Sequence, residues 1–177
     1  MMKLTIMNDM HIIIWSFPLL FILHDFEEII FIKYWIQKNE NYLQAIVPSR
    51  FIPVINHMKK ISTAAFAFGV AEEYILILII CIISFLTNWY YLWLGCFIAF
   101  VLHMIVHIFQ ALFIKRYIPS LATSLICTPI SIAILVNIWK QFIFSRIIFY
   151  SILSCIIMIG NLVFIHWLMG KLEDKFS

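Results

Sequence analysis

The chain has 177 residues, a formal net charge of +3 and a mean hydropathy of +1.03. Hydrophobic residues make up 64% of it and charged residues only 12%, whereas soluble domains carry about 25% charge. This composition excludes an ordinary soluble enzyme and predicts an all-α, multi-pass protein of the cell membrane. No basic stripe interleaved with aromatic residues occurs in the sequence, so we expect membrane lipids and no nucleic acid as partners.

Five segments are long enough to cross a membrane, because each supplies the roughly 20 mostly apolar residues that a spanning helix needs. They cover approximately residues 10–32, 61–86, 89–114, 120–139 and 143–169. The connection over 33–60 is the one long loop, in which Pro48 and Pro53 argue against a single regular helix. We therefore expect one domain over 1–177, an integral membrane bundle of about five transmembrane helices.

Basic residues are distributed unequally between the two ends of the predicted helices. One end carries nine of them: Lys33, Lys38, Arg50, Lys59, Lys60, Lys115, Arg116, Lys171 and Lys175. The other end carries three: Lys3, Lys140 and Arg146. Cytoplasmic loops of membrane proteins carry the excess of Lys and Arg. The sequence therefore predicts an N-terminus outside and a C-terminus in the cytoplasm (N-out/C-in).

The first predicted helix contains a histidine and two carboxylates in the middle of its apolar run: His24, Glu27 and Glu28. Residues three and four positions apart share one face of a helix, so these side chains point in the same direction. An isolated charge at membrane depth costs roughly 2.5–3.5 kcal/mol on insertion scales. We therefore interpret this group as part of a functional site that faces the interior of the bundle.

Further ionisable residues interrupt the next two predicted helices. Glu72 and Glu73 lie in the second, and His103 and His107 lie on one face of the third. A rise of about 1.5 Å per residue places all these groups in one slab of the cytoplasmic half. If they form one site, a carboxylate of the first helix should lie within about 5 Å of an imidazole of the third.

Carboxylates and imidazoles gathered in a dry bundle are typical of a divalent metal site, with Zn or Fe as candidates. The predicted ligands are His24, Glu27, Glu73, His107 and His103. Glu28 would be a general base or a further ligand. Such a metal activates water or polarises a carbonyl or phosphoryl oxygen. The hypothesis is a metal-dependent intramembrane hydrolase that acts on a lipid-like or membrane-buried small molecule.

Two other functions remain open for the same residues. One is metal-free acid/base chemistry, in which a His and a Glu move a proton on the substrate. The other is a proton path through a small proton-coupled transporter, or a ligand site in a binding protein. Transporters often show helices broken by Gly or Pro, and only Pro18 and Pro129 lie within the predicted spans. His57 and His166 are interpreted as packing residues.

The segment from His24 to Glu28, His-Asp-Phe-Glu-Glu, resembles the signature of the HXXEE family of membrane proteins. Members also carry a further histidine and a Tyr-x-Pro-Gly element, to which His107 and the segment 117–120 are similar. Ser120 stands where the family usually has Gly. The resemblance covers most of the chain and implies a membrane protein, but no reaction, because the family is of unknown function. We expect Tyr117 to orient the substrate or a residue of the site.

A weaker likeness exists to membrane-embedded glutamate proteases of the CAAX-processing type. Those enzymes use a pair of glutamates on one helix and histidines on later helices, as Glu72, Glu73, His103 and His107 do here. The arginine expected one turn after the glutamate pair is absent, and Ile77 stands about there. This likeness ranks below the first.

Overall fold

A computed structural model describes residues 9–176 of the chain, with side chains as far as Glu173. Lys3 and the side chain of Lys175, which count toward the predicted orientation, lie outside the described residues. A helical stretch over 9–13 precedes six α-helices: α1 (Ser16–Ile46), α2 (Ile52–Lys60), α3 (Thr63–Thr87), α4 (Tyr90–Ile114), α5 (Leu121–Ile138) and α6 (Phe144–Phe176). The described part contains no strand, so the predicted all-α class is confirmed.

Four of the described helices are long and apolar enough to cross a membrane: Thr63–Thr87, Tyr90–Ile114, Leu121–Gln141 and Phe144–Glu173. They match four of the five predicted spans closely. The first predicted span lies in α1, which is not among them. Asp25, Glu27 and Glu28 interrupt its apolar half, and its second half is polar. Over the described residues the count is therefore one fewer than predicted.

The connection over 33–60, predicted as a long loop, is mostly helical. α1 continues through it to Ile46, and Val47 is extended (ψ 133°) because the residue before a proline avoids the helical region. α2 then begins with Pro53 in its first turn, where the missing N–H of proline costs nothing. The predicted loop is therefore wrong, while the prediction that no single regular helix covers this region is confirmed.

α4 is the central helix of the bundle, because it contacts α1, α3, α5 and α6. Its buried face carries Trp93, Phe97, Phe100 and Met104, at the spacing that places residues on one side of a helix. Phe17 of α1 packs against the rings of Phe97 and Phe100 at centroid distances of 5.4 and 5.5 Å. The interface between α1 and α4 is thus aromatic. One or two turns further along each helix lie the histidines: His24 on α1, and His103 and His107 on α4.

Pro18 leaves the carbonyl of Ile14 without the donor that an α-helix normally supplies, because proline has no N–H for residue i−4. The indole of Trp93 donates to this oxygen at 3.0 Å, and the thiol of Cys81 does so at 3.4 Å. Ile14 is fully buried, and its carbonyl otherwise accepts only a long bond of 3.4 Å from the backbone N–H of Phe17. These contacts therefore fix the start of α1 against α3 and α4, and with it the register of the motif.

Candidate metal centre

Four side chains with metal-binding atoms meet between α1 and α4. One ligand atom from each of His24, Glu28, His103 and His107 lies within 4.8 Å of the other three. Each helix contributes two residues four positions apart, which share one helical face. The packing of α1 on α4 turns these two faces toward each other, and we call these four residues the inner cluster.

His107 makes the closest contacts of the inner cluster. Its Nε2 lies 3.2 Å from Oε1 of Glu28 and 2.9 Å from Nε2 of His103. The ring centroid of His24 lies 5.2 Å from that of His107 and 5.6 Å from that of His103. The prediction that a carboxylate of α1 lies within about 5 Å of an imidazole of α4 is therefore confirmed.

In two of the three rings, a hydrogen bond at Nδ1 leaves Nε2 facing the other residues of the cluster. Nδ1 of His24 lies 3.1 Å from the hydroxyl of Thr123, which lies 2.6 Å from Oε2 of Glu27. An ionised carboxylate only accepts, so the hydroxyl donates to Glu27 and accepts from Nδ1–H of His24. Nδ1 of His107 likewise donates to Oε1 of Gln110 at 3.1 Å. Metal-binding histidines characteristically donate their second N–H in this way.

The Nε2 atoms of the inner cluster do not have enough protons to form a hydrogen bond at each close contact. Nε2 of His24 is buried and has no hydrogen-bond partner among the described residues. Nε2 of His107 faces both Nε2 of His103 and a carboxylate oxygen, and one proton cannot lie between all three atoms. Buried polar atoms are normally paired, so converging lone pairs are costly unless a proton or cation takes them. Imidazole and carboxylate ligands suit Zn and Fe.

Glu27 lies beside the inner cluster but faces α5. Its Oε2 accepts the backbone N–H of Thr123 at 2.8 Å, and its Oε1 accepts that of Ala122 at 3.4 Å. The first amides of a helix have no partner within the helix, and a negative charge is favourable at that end. Glu27 therefore caps α5. It is not one of the four converging groups, although the sequence predicted it as a ligand.

Tyr117, in the turn before α5, reaches the site through Glu27. Its hydroxyl donates to Oε1 of Glu27. Burial, together with the hydrogen bond and the charge of Glu27, raises the pKa of Tyr117 to about 12. The phenol therefore keeps its proton at neutral pH. The residue as a whole is 49% exposed, and its hydrogen bond to the site is made by the hydroxyl.

The two glutamates of α3 have different surroundings. Oε2 of Glu72 accepts a hydrogen bond from the amide of Asn161 on α6 at 3.1 Å. Glu73 lines a cavity together with Glu28 and His103. Adjacent residues on a helix diverge by about 100°, so only one of the pair faces the inner cluster, and it is Glu73. Glu73 is not among the four converging groups.

The cavity beside the inner cluster has a volume of about 730 Å³ and is bounded by α1, α2, α3, α4 and α6. Carboxylates and imidazoles form part of its lining. Its remaining wall is largely apolar and includes Phe66, Val70, Leu162 and Met169. Binding sites for small molecules have this size and this combination of apolar walls with a few polar groups.

Two residues of this arrangement, Gln110 and Thr123, were given no role from the sequence. Gln110 lies three residues after His107, and the shared helical face is a signal that could have identified it. Thr123 lies on a different helix from His24 and Glu27, and no spacing in the sequence connects it to them.

Fold and site together define a class: a helical bundle with four helices apolar enough to cross a membrane and a partly buried His/Glu cluster between two of its helices. The chain belongs to the HXXEE family, since the family described as "Protein of unknown function with HXXEE motif" matches residues 15–134. This range contains the whole inner cluster and Thr123. No curated protein and no solved structure matches the chain.

Proposed function

We propose that this protein is a multi-pass enzyme of the cell membrane in which the inner cluster binds one divalent metal, Zn or Fe. The observation that carries the proposal is the convergence of four ligand atoms within 4.8 Å. Three imidazoles and one carboxylate are a donor set that these ions accept. A five-coordinate ion would keep one position for water or substrate, as catalytic zinc sites do.

The reaction that we propose is hydrolysis of an ester, amide or phosphoester bond. The metal would supply an activated water or a polarised carbonyl or phosphoryl oxygen. We assign Glu28 as a ligand, because its oxygen lies 3.2 Å from a ligand atom of His107. We assign Glu73, which faces the same cavity, as the group that accepts the proton of the attacking water. Sequence reasoning alone made Glu73 a ligand and left Glu28 as a general base or a further ligand.

Glu27 and Tyr117 would position the metal ligands without touching the metal. Glu27 accepts a hydrogen bond from the hydroxyl of Thr123, and this hydroxyl accepts one from Nδ1 of His24. Tyr117 in turn donates to Glu27. Partners of this kind orient a ligating histidine and raise its basicity.

The substrate that we propose is a lipid or a membrane-buried small molecule. The cavity of about 730 Å³ supports this class, because its lining combines many apolar residues with the acids and imidazoles. An amphiphile could place its chain along the apolar wall and its reactive bond at the inner cluster.

We further propose that the apolar half of α1 crosses the membrane as a fifth span. Its acids would then be tolerated where they face the bundle and have partners: Glu27 is 7% exposed and bonds to Thr123, and Glu28 contacts His107. Intramembrane acids are found facing the bundle interior, with partners. The excess of basic residues at one end would place the C-terminus and the inner cluster on the cytoplasmic side.

Elemental analysis of the full-length protein in mild detergent tests the metal proposal. We expect one equivalent of Zn or Fe in the wild type and a large loss in Glu28→Gln and in His107→Ala. His11→Ala is the matched control, because His11 contacts Asn88 and Phe85 at a distance from the inner cluster. A wild type that stays metal-free after incubation with either ion would refute the proposal, as would unchanged metal content in both variants.

A second experiment tests the reaction. Metal-loaded protein in nanodiscs is incubated with a total lipid extract, and the products are compared by mass spectrometry with those of Glu73→Gln. We expect wild-type protein to release hydrolysis products and Glu73→Gln to retain metal but release none. If the wild type changes no lipid while holding its metal, lipid hydrolysis is wrong, and a pH-gradient flux assay in liposomes then tests the transporter alternative.

A further inference from the structure

A second pair of imidazoles lines the cavity outside the inner cluster. His57 of α2 and His166 of α6 have ring centroids 5.7 Å apart, with the ring planes at 68°. Both residues line the cavity that Glu28, His103 and His107 of the inner cluster also line. They are 109 positions apart in the sequence, where each looked like an isolated packing residue.

Both rings hide a nitrogen without a partner. Nε2 of His57 and Nδ1 of His166 are buried, and neither has a hydrogen-bond partner among the described residues. Buried polar atoms in folded proteins are nearly always paired, and each exception requires an explanation. A role in packing alone explains neither the orphaned nitrogens nor their occurrence on two neighbouring rings.

The two rings are held in place by contacts of the helices that carry them. A Cβ atom on Gly170 would lie 3.2 Å from Cε1 of His57, so the missing side chain lets the ring pack on α6. On the same part of α6, Ile165 and Met169 are 1% and 3% exposed and lie against Gly69 of α3. The pair therefore has a defined geometry although His57 lies on the short helix α2.

We propose that His57 and His166 form a second, weaker site for a borderline divalent cation such as Zn²⁺ or Cu²⁺. Their centroid separation of 5.7 Å is close to the 5.6 Å between His24 and His103 in the inner cluster. Imidazole nitrogen is a preferred ligand of Zn and Cu, whereas Mg²⁺ and Ca²⁺ take oxygen ligands. Water would complete the coordination, so two protein ligands bind less tightly than the four of the inner cluster.

Equilibrium dialysis of the full-length protein in detergent against Zn²⁺, with Mg²⁺ as the competing ion, measures this site. We expect a tight and a weak class of Zn²⁺ sites in the wild type, neither displaced by Mg²⁺. The double variant His57→Gln/His166→Gln should keep the tight class and weaken the other by more than the roughly 10–100-fold that loss of a supporting residue costs a metal site. An unchanged weak class in the double variant would overturn the proposal.

Two further measurements separate this site from the inner cluster. The variant His103→Ala/His107→Ala should lose the tight class and keep the weak one. Loss of both classes would show that His57 and His166 form no independent site. If the wild type shows only a weak class that needs His57 and His166, this proposal stands and the proposed function fails. Cu²⁺ electron paramagnetic resonance in the His103→Ala/His107→Ala background should show nitrogen ligands that disappear when His57 and His166 are also replaced.

A folding control keeps the result interpretable. Thermal unfolding in the presence of EDTA should be the same for the wild type and the His57→Gln/His166→Gln variant, because glutamine retains polar atoms at both positions. If the double variant unfolds early, His57→Gln alone, on the short helix α2, is measured instead. An unchanged weak class in that variant would then also overturn the proposal.

Discussion

The carboxylate of Glu27 on α1 caps the first turn of α5 through both the backbone and the hydroxyl of Thr123, at 2.8 and 2.6 Å. The same hydroxyl accepts from Nδ1 of His24. One residue of the HXXEE motif therefore fixes the position of a neighbouring helix, and that helix fixes the tautomer of another residue of the motif. Thr123 therefore contributes both to the packing of α5 and to the orientation of His24 in the inner cluster.

Thr123→Val tests this link. We expect a loss of about 1–2 kcal/mol in the free energy of unfolding, because the hydroxyl bridges a buried histidine and a capping carboxylate. Metal affinity should fall by roughly 10–100-fold, since Nδ1 of His24 loses its acceptor. Thermal unfolding and a Zn²⁺ titration measure the two effects.

Thr128→Val on the same helix is the matched control for that variant. Its hydroxyl is buried and has no hydrogen-bond partner among the described residues, so its removal should be neutral or slightly stabilising. Equal effects of the two substitutions would show that the Thr123 bridge contributes nothing specific.

Ser120 adopts a left-handed conformation, with φ of 81° and ψ of −12°, at the start of α5. This is the position at which the family resemblance leads one to expect glycine. A non-glycine residue in that region is strained by roughly 1–2 kcal/mol. Ser120→Gly should therefore raise the free energy of unfolding by about 1 kcal/mol, measured by thermal unfolding.

Ala133→Gly is the counterpart of Ser120→Gly. Ala133 is exposed and lies inside α5, where glycine costs about 1 kcal/mol relative to alanine. The two substitutions should act in opposite directions. Destabilisation of similar size in both would contradict the assignment of strain to Ser120.

Gly95 allows α4 and α6 to approach each other closely. A Cβ atom there would lie 2.5 Å from the backbone oxygen of Tyr150 and 2.7 Å from the hydroxyl of Ser154. A backbone atom cannot move aside as a side chain can, so Gly95→Ala should destabilise the bundle by about 1–3 kcal/mol. Gly160→Ala on α6 meets nothing within 4 Å and should leave the stability unchanged or higher. The difference between the two melting temperatures is the measurement.

The orientation of the bundle is tested with reporters. A C-terminal fusion should be active in the cytoplasm, and a reporter inserted in the turn at Thr87 and Asn88 should be active outside. This expectation rests on the nine basic residues at one end against three at the other, because cytoplasmic loops carry the excess of Lys and Arg. A C-terminus outside the cell would reverse the orientation and move the inner cluster to the outer half of the membrane.

Much of the architecture was predictable because it depends on local sequence. α3, α4, α5 and α6 each match a predicted span to within a few residues, apart from the continuation of α6 to Phe176. Apolar length alone defines such helices. Helical periodicity likewise placed His24 on one face with Glu28, and His103 on one face with His107. The length of α1 was not predictable, because its second half is polar and is packed on by α2 and by the end of α4.

Only the tertiary structure decided which faces meet. Periodicity groups the side chains of one helix but does not state which neighbouring helix they contact, since that depends on packing across the bundle. For this reason the sequence did not distinguish Glu28, which meets His107, from Glu27, which meets Thr123. The pairing of His57 with His166 and the choice of Glu73 over Glu72 have the same origin: contacts between residues far apart in the chain exist only once the helices are packed.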